Sequence, residues 1–184
     1  MTFEHIDHVQ RDSLLSSPPH GSKTFPPGSW ILDPSASDLR ITTRVFGFYS
    51  VGITLRIREG VAEVDERGWM QRMSMSLLAG SATSGNELRD RHLRGPEYLD
   101  AENFPIIDFH GTTTGDKIDG SMTMKGHRVQ LRCTATEASL IDGERAALMS
   151  YGTTDRRHIG LDNKSLWCIG HELSVELRGT GFRA

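Results

Sequence analysis

DLRITTRVFGFYSVGITLRIREG, residues 38–60, changes side at every step. Leu39, Ile41, Thr43 and Val45 alternate with Arg40, Thr42 and Arg44. Beyond the turn-like FGFYS, Val51, Ile53, Leu55 and Ile57 alternate with Gly52, Thr54, Arg56 and Arg58. Successive side chains of a strand point to opposite faces, so a period of two makes one face apolar and leaves the other to water. A helix would need a period of 3.6, which this stretch does not keep. It reads as two strands joined by a turn.

The pattern continues along the chain. Met73, Met75 and Leu77 alternate with Arg72, Ser74 and Ser76, and Ile107 and Phe109 with Asp108 and His110. IDGSMTMKGHRVQLRCTATEA, residues 118–138, reads as a hairpin: Met122 and Met124, a turn near Lys125-Gly126-His127, then Val129, Leu131 and Cys133. ALMSYGTTD (147–155) and HELSVELRG (171–179) supply two more strands, the second with Leu173, Val175 and Leu177 on its inner face. About eight antiparallel strands with one apolar face each make an all-β protein, an up-and-down barrel or a sandwich. At about eight strands a barrel interior either fills itself with side chains or holds one small ligand.

Met73, Met75, Met122 and Met124 fall at inward positions of two separate strands. Methionine is flexible and polarizable, which suits a wall that adapts to a long apolar guest and equally suits ordinary core filling. The inward set holds almost no ionisable residue, so an enzyme working inside would lack its acid and base.

One segment breaks the alternation: SGNELRDRHLRGPEYLDAENFPIIDF, residues 84–109. Ser84 and Glu87 have capping-box spacing, and Gly95-Pro96 ends the helix that follows, glycine allowing a left-handed cap and proline forbidding continuation. The spacing predicts a two-turn helix at a barrel corner, with Leu88 and Leu93 on the barrel and Arg91 and Arg94 outward. Arg89, Arg91, His92 and Arg94 could clamp a phosphate, since arginine suits bidentate anion contacts. Asp90 and His92 could form a catalytic pair, but no nucleophile elbow stands beside them. Arg89 and Asp90 could also tie the helix to neighbouring loops, the reading that the residues favour. TTDRRHIGL, residues 153–161, is a second polar cluster, in which Arg156, Arg157 and His158 could complete a basic rim. GSATSGNE lacks the Gly-Lys-Ser/Thr ending of a nucleotide loop.

The 184 residues carry 21 Lys+Arg against 24 Asp+Glu, a formal net charge of -3. That balance argues against general nucleic-acid binding, which needs a basic surplus. Cys133 and Cys168 have no CxxC spacing and read as small hydrophobes in a reducing compartment. Residues 1–27 are Ser-, Pro- and His-rich and read as a flexible leader, with no basic start and apolar run of a signal peptide. His5 and His8 would face one way on a helix, but no third ligand is near, so no metal is expected. No apolar stretch approaches the ~20 residues that span a membrane, and a cytoplasmic protein is expected.

RDRHLRGPEYLDAENFPIIDF resembles the pattern of the YceI family, the polyisoprenoid-binding, lipocalin-like proteins, whose elements are an Arg-Asp, a His-Leu, an aromatic-rich F-x-D and a (Y/F)-P-x-I-x-F. WILDPSAS (Trp30–Ser37), IDGSMTMKGHRVQL and TTDRRHIGL resemble other family blocks in the same order, from about Trp30 to the C-terminus. Departures are Val45 about where a first-strand histidine often stands, Ala36 in place of a histidine, and His158-Ile159 in place of Asp-Phe.

The resemblance implies an eight-stranded antiparallel, lipocalin-like barrel over residues 28–184 with an apolar pocket for an isoprenoid chain, and it makes the methionine-lined cavity the favoured reading. The expected lining is Val45, Val51, Ile53, Leu55, Met73, Met75, Leu77, Ile107, Phe109, Met122, Met124, Val129, Leu131, Leu173 and Val175, with Arg89, His92 and Arg156 at the mouth. The expected ligand is an isoprenoid lipid, a quinone or its precursor, sequestered or carried without covalent chemistry and with no other cofactor. The alternative is an enzyme using Asp90, His92 and Arg156 on an amphipathic substrate. Family analogy also suggests a homodimer.

Overall fold

The computed structural model describes residues 25–115, 117–162 and 168–184. Most of the expected leader, with the His5/His8 pair, lies outside the described residues. Nine strands form one sheet: β1 (Gly28–Leu32), β2 (Asp38–Val45), β3 (Tyr49–Val64), β4 (Met70–Leu78), β5 (Ile106–Thr114), β6 (Lys117–Met124), β7 (His127–Leu140), β8 (Arg145–Asp155) and β9 (Ile169–Arg183). From β2 to β9 each strand pairs antiparallel with the next, and β2 pairs back onto β9, so eight strands close into a barrel. Closure removes most of the open sheet edge along which chains aggregate, leaving the first part of β3 without a β4 partner among the described residues.

The ninth strand is not among the eight expected, and its position explains it. Both β1 and β2 run antiparallel to β3 and β9. β1 meets Val61–Val64 and Gly181–Arg183, whereas β2 meets Tyr49–Arg56 and Ile169–Arg178. The two strands therefore share one position in the barrel wall, end to end, interrupted at residues 33–37. Proline at 34 donates no backbone hydrogen bond, which favours a break there. Ser37 mends the gap: Thr180 N–H donates to its Oγ at 3.0 Å, and Asp33 N–H donates to Thr180 O at 2.7 Å.

Alternation sets which side chains go inward. Leu39 faces Leu55 and Leu177 across the ladders, and all three are buried. Phe109 faces Met75 and Met122, again all buried. Glycine is required where Phe109 lies along the wall, because a Cβ on Gly120 would come within 2.5 Å of its ring. The β6–β7 turn is a two-residue loop with Lys125 at φ 50° and Gly126 at φ 75°, the left-handed pair whose twist suits a hairpin.

The two barrel ends are closed differently. At one end Trp30 is buried, donates from Nε1 to Pro26 O at 3.0 Å, and stacks edge-on with Phe25 at 5.9 Å. At the other, the β4–β5 connection and a 3-10 turn over Arg156–Ile159 cover the lumen, burying Ala79, Ala82, Leu93, Leu99 and Ile159.

Candidate functional site

The β4–β5 connection carries α1 (Glu87–Arg94), and its charges hold a corner. Asp90 is buried, and its carboxylate accepts from Thr83 Oγ1 at 2.7 Å and from both the backbone N–H and the hydroxyl of Ser84. The Ser84 hydroxyl, then that of Thr83, holds the Asp90 carboxyl below the ordinary carboxylate range, with the Arg94 charge adding to the effect. Arg89 Nε donates back to Ser84 Oγ at 2.7 Å, and Arg94 Nε to Ala82 O at 3.0 Å. Thr83 and Thr54 exchange backbone hydrogen bonds, which fastens the connection to β3.

Three local expectations change here. The helix N-cap is Asn86, whose side chain accepts from Arg89 N–H, not Ser84, because Ser84 is spent on Asp90. Gly95 ends the helix in extended backbone at φ -74°, so no left-handed cap forms. Leu88 points to solvent, and Leu93 alone of the two leucines is buried.

Arg156 is buried inside the cap. Its guanidinium donates to the carbonyls of Leu161, Ile169 and Gly170, fastening the start of β9. Asp90 and Arg156 thus spend their charged atoms on their own chain, while His92 stands exposed on α1. Arg89 lines an open groove outside the barrel rather than the lumen.

The barrel encloses a cavity of about 30 Å³, room for one water-sized body. Met73, Met75, Leu77, Phe109, Met122, Met124, Leu131, Leu173 and Val175 border it. Leu55, Ile107 and Val129 are buried in the same core without bordering the cavity, and Ile53 packs against that core. Val45 and Val51 belong instead to the outer groove by the β2–β3 turn, with Arg89.

The lining also includes residues not expected on it: Leu39, Ile41, Ile118, Cys133, Ser150, Thr154, Ile159 and Leu177. Leu39, Ile41, Cys133 and Leu177 already showed in the alternation, and Ile118 shares parity with Met122 and Met124. Ser150 and Thr154 share the inward parity of β8 with Gly152, but their polarity hid them. Ile159 reaches in from the 3-10 turn, where no period signals it.

Apart from the hydroxyls of Ser150 and Thr154 and the Cys133 thiol, the cavity wall among the described residues is hydrocarbon and thioether. Burial pushes the Cys133 thiol up to about 11, so it is neutral near pH 7. Among the described residues the one buried side-chain polar atom without a hydrogen-bond partner is Thr113 Oγ1, outside this lining. No group of three His, Cys, Asp or Glu among the described residues could hold a metal ion. Among the described residues the lining can solvate an apolar guest and offers no charged acid or base to one.

Comparison with known proteins agrees with this architecture. The family described as the YceI-like domain matches residues 30–180. Burkholderia cenocepacia BcnA is similar in structure, with a TM-score of 0.66 at 14% identity over 81% of this chain and 98% of its own. A polyisoprenoid binding domain from Saccharophagus degradans, implicated in plant cell wall breakdown, has a TM-score of 0.62 at 12% identity, covering 84% of this chain and 98% of its own. The Campylobacter jejuni YceI protein gives 0.59 at 12% identity, covering 100% and 99%. No curated protein matches the chain.

Proposed function

The chain belongs to the YceI-like domain family, and from that premise we propose that its barrel binds the apolar chain of an isoprenoid lipid. The observation that carries this reading is the wall of the lumen, where Met73, Met75, Met122 and Met124 all border one cavity with no charged side chain among the described residues that line it. Each CH₂ moved from water into such a site gains about 0.8 kcal/mol. A long prenyl tail therefore needs few polar contacts to bind tightly. The likeness to a polyisoprenoid binding domain supports the choice of guest.

The free space of about 30 Å³ is far too small for a prenyl chain, so binding must push lining side chains aside. Methionine suits that demand, having three rotatable bonds and no branch at Cβ. The guest we favour is an isoprenoid quinone or its precursor, sequestered or carried with its polar head toward the α1 end. The reading includes no covalent chemistry. Both cysteines are free thiols, which fits work in a reducing compartment such as the cytoplasm.

Native mass spectrometry of freshly purified protein, with organic extraction, tests the proposal. The expected result is a co-purified apolar ligand or tight binding of an added prenyl quinone, unchanged by His92→Gln. Finding neither would overturn it, and turnover of the bound molecule that His92→Gln abolishes would replace it with the enzyme reading.

A further inference from the structure

The β2–β3 turn displays three aromatic side chains to water: Phe46 is 54% exposed, Phe48 74% and Tyr49 63%. The rings of Phe48 and Tyr49 lie 4.6 Å apart at 42°, so they form one patch. Phe46 adopts φ 53°, in the left-handed region that glycine, asparagine and aspartate take easily and a bulky residue does not. The chain thus keeps a phenylalanine in a strained position with over half its surface in water. The Phe46 N–H donates to Cys168 O at 2.7 Å, which helps hold the turn in that conformation while the ring stays more than half exposed.

Beside the patch a groove of about 480 Å³ runs between the hairpin and α1. On its β4 side, β3 finds partners from Ile57 onward and at Thr54, where Thr83 bridges to it. From Tyr49 to Ile53 no strand covers that edge among the described residues. Arg40 lies along the hairpin wall of the groove, its Nη2 2.8 Å from where a Cβ on Gly52 would stand. Arg89 lines the opposite wall, braced by the Ser84 hydroxyl at 2.7 Å and the Ser84 carbonyl at 3.2 Å. Arg44, paired with Ser50 on the same hairpin, is exposed. Among the described residues no carboxylate lines the groove.

We propose that the β2–β3 tip is a docking surface for an anionic phospholipid bilayer, with the aromatics entering the acyl boundary and Arg40, Arg44 and Arg89 meeting the phosphates. Aromatic rings beside arginines match that interface in both layers: phenylalanine buries at the headgroup–acyl boundary, the amphipathic tyrosine ring settles at headgroup depth, and each basic residue is drawn to anionic lipid. Among the described residues no helix is long and apolar enough to cross a membrane. The surface would set an apolar guest's source next to the barrel, yet it does not depend on what the lumen holds. The two readings fail separately, since extraction reports the lumen and vesicle flotation reports the tip.

The test floats the full chain with vesicles of phosphatidylglycerol and phosphatidylcholine, and with phosphatidylcholine alone. Binding to the anionic vesicles is expected, and its loss in about 1 M salt, where screening acts within about 3 Å. Phe48→Ser and Phe46→Gly should each weaken binding about tenfold, as removal of one inserted aromatic would. Phe46→Gly also relaxes the turn, so its melting temperature should match or exceed the wild type and exclude misfolding as the cause. Equal binding to both vesicle types, or variants that bind as the wild type does, would overturn the proposal. So would a wild type that ignores vesicles but forms a dimer which Phe48→Ser dissociates, since the tip would then serve a second copy of the chain.

Discussion

Asp90 shows what a charged residue in the short basic helix is for. It sits in a sequence of alternating charges that could equally have been a catalytic pair or an anion clamp, and its geometry makes it a brace. Two hydroxyls and one backbone N–H converge on one buried carboxylate, and all of them stabilise its ionised form. The sign of the pH dependence follows. A carboxyl whose folded value is depressed contributes stability that is fully present above its unfolded value of about 3.9 and is lost as pH falls through the folded one. Asp90→Asn should therefore lower the melting temperature by a constant amount from pH 7 to about pH 5. That difference should shrink as the pH drops below about 4. Thermal melts of both proteins across this range check it, and a difference that stays constant down to pH 3 would mean that the carboxylate charge contributes nothing.

Among the elements, the broken first strand is the most exacting. β1 and β2 fill one position in the wall, each paired to β3 and β9, and Ser37 and Asp33 both reach Thr180 across the interruption. Ser37→Ala leaves the Thr180 N–H without that partner and should cost about 1–2 kcal/mol. Chemical denaturation should show a lower midpoint at an unchanged slope, and an unmoved midpoint would mean that water mends the gap as well as the hydroxyl does. The sequence made β2 through β9 legible because each keeps its period over several residues. β1 escaped because five residues followed by Asp-Pro are too few to show one. The capping box at Ser84 and Glu87 had the right spacing, but a local pattern carries no sign that Asp90 has already claimed the serine. The candidate lumen was legible wherever parity and apolarity agreed, as at Met73 and Phe109. It was hidden where they disagreed, as at Ser150 and Thr154, or where a 3-10 turn supplied the residue, as at Ile159. Val45 and Val51 have the inward parity but stand next to the β2–β3 turn, where the wall opens into the outer groove.

At the scale of the whole molecule, the barrel must be closed enough to fold without a guest and soft enough to take one. Large inner side chains such as Leu55, Leu77 and Ile107 are almost fully buried and fix the walls, while the methionines border the little space that remains. If that division holds, stiffening the methionines should separate folding from binding. Met73→Ile with Met122→Ile keeps side-chain volume nearly constant, so each should cost less than about 1.5 kcal/mol of stability. Isoleucine branches at Cβ and is held to few χ1 rotamers, so it cannot swing aside as methionine does. For the wild type, a prenyl quinone at 100 times its dissociation constant should raise stability by about 2.7 kcal/mol. A tenfold weaker double variant would gain about 1.4 kcal/mol less at the same concentration. Paired melts with and without ligand measure both quantities at once. A double variant that melts close to the wild type but gains less from ligand places the adaptation in the methionines. One that gains as much as the wild type would move it to the cap, where Leu93, Leu99 and Ile159 are the side chains left to yield.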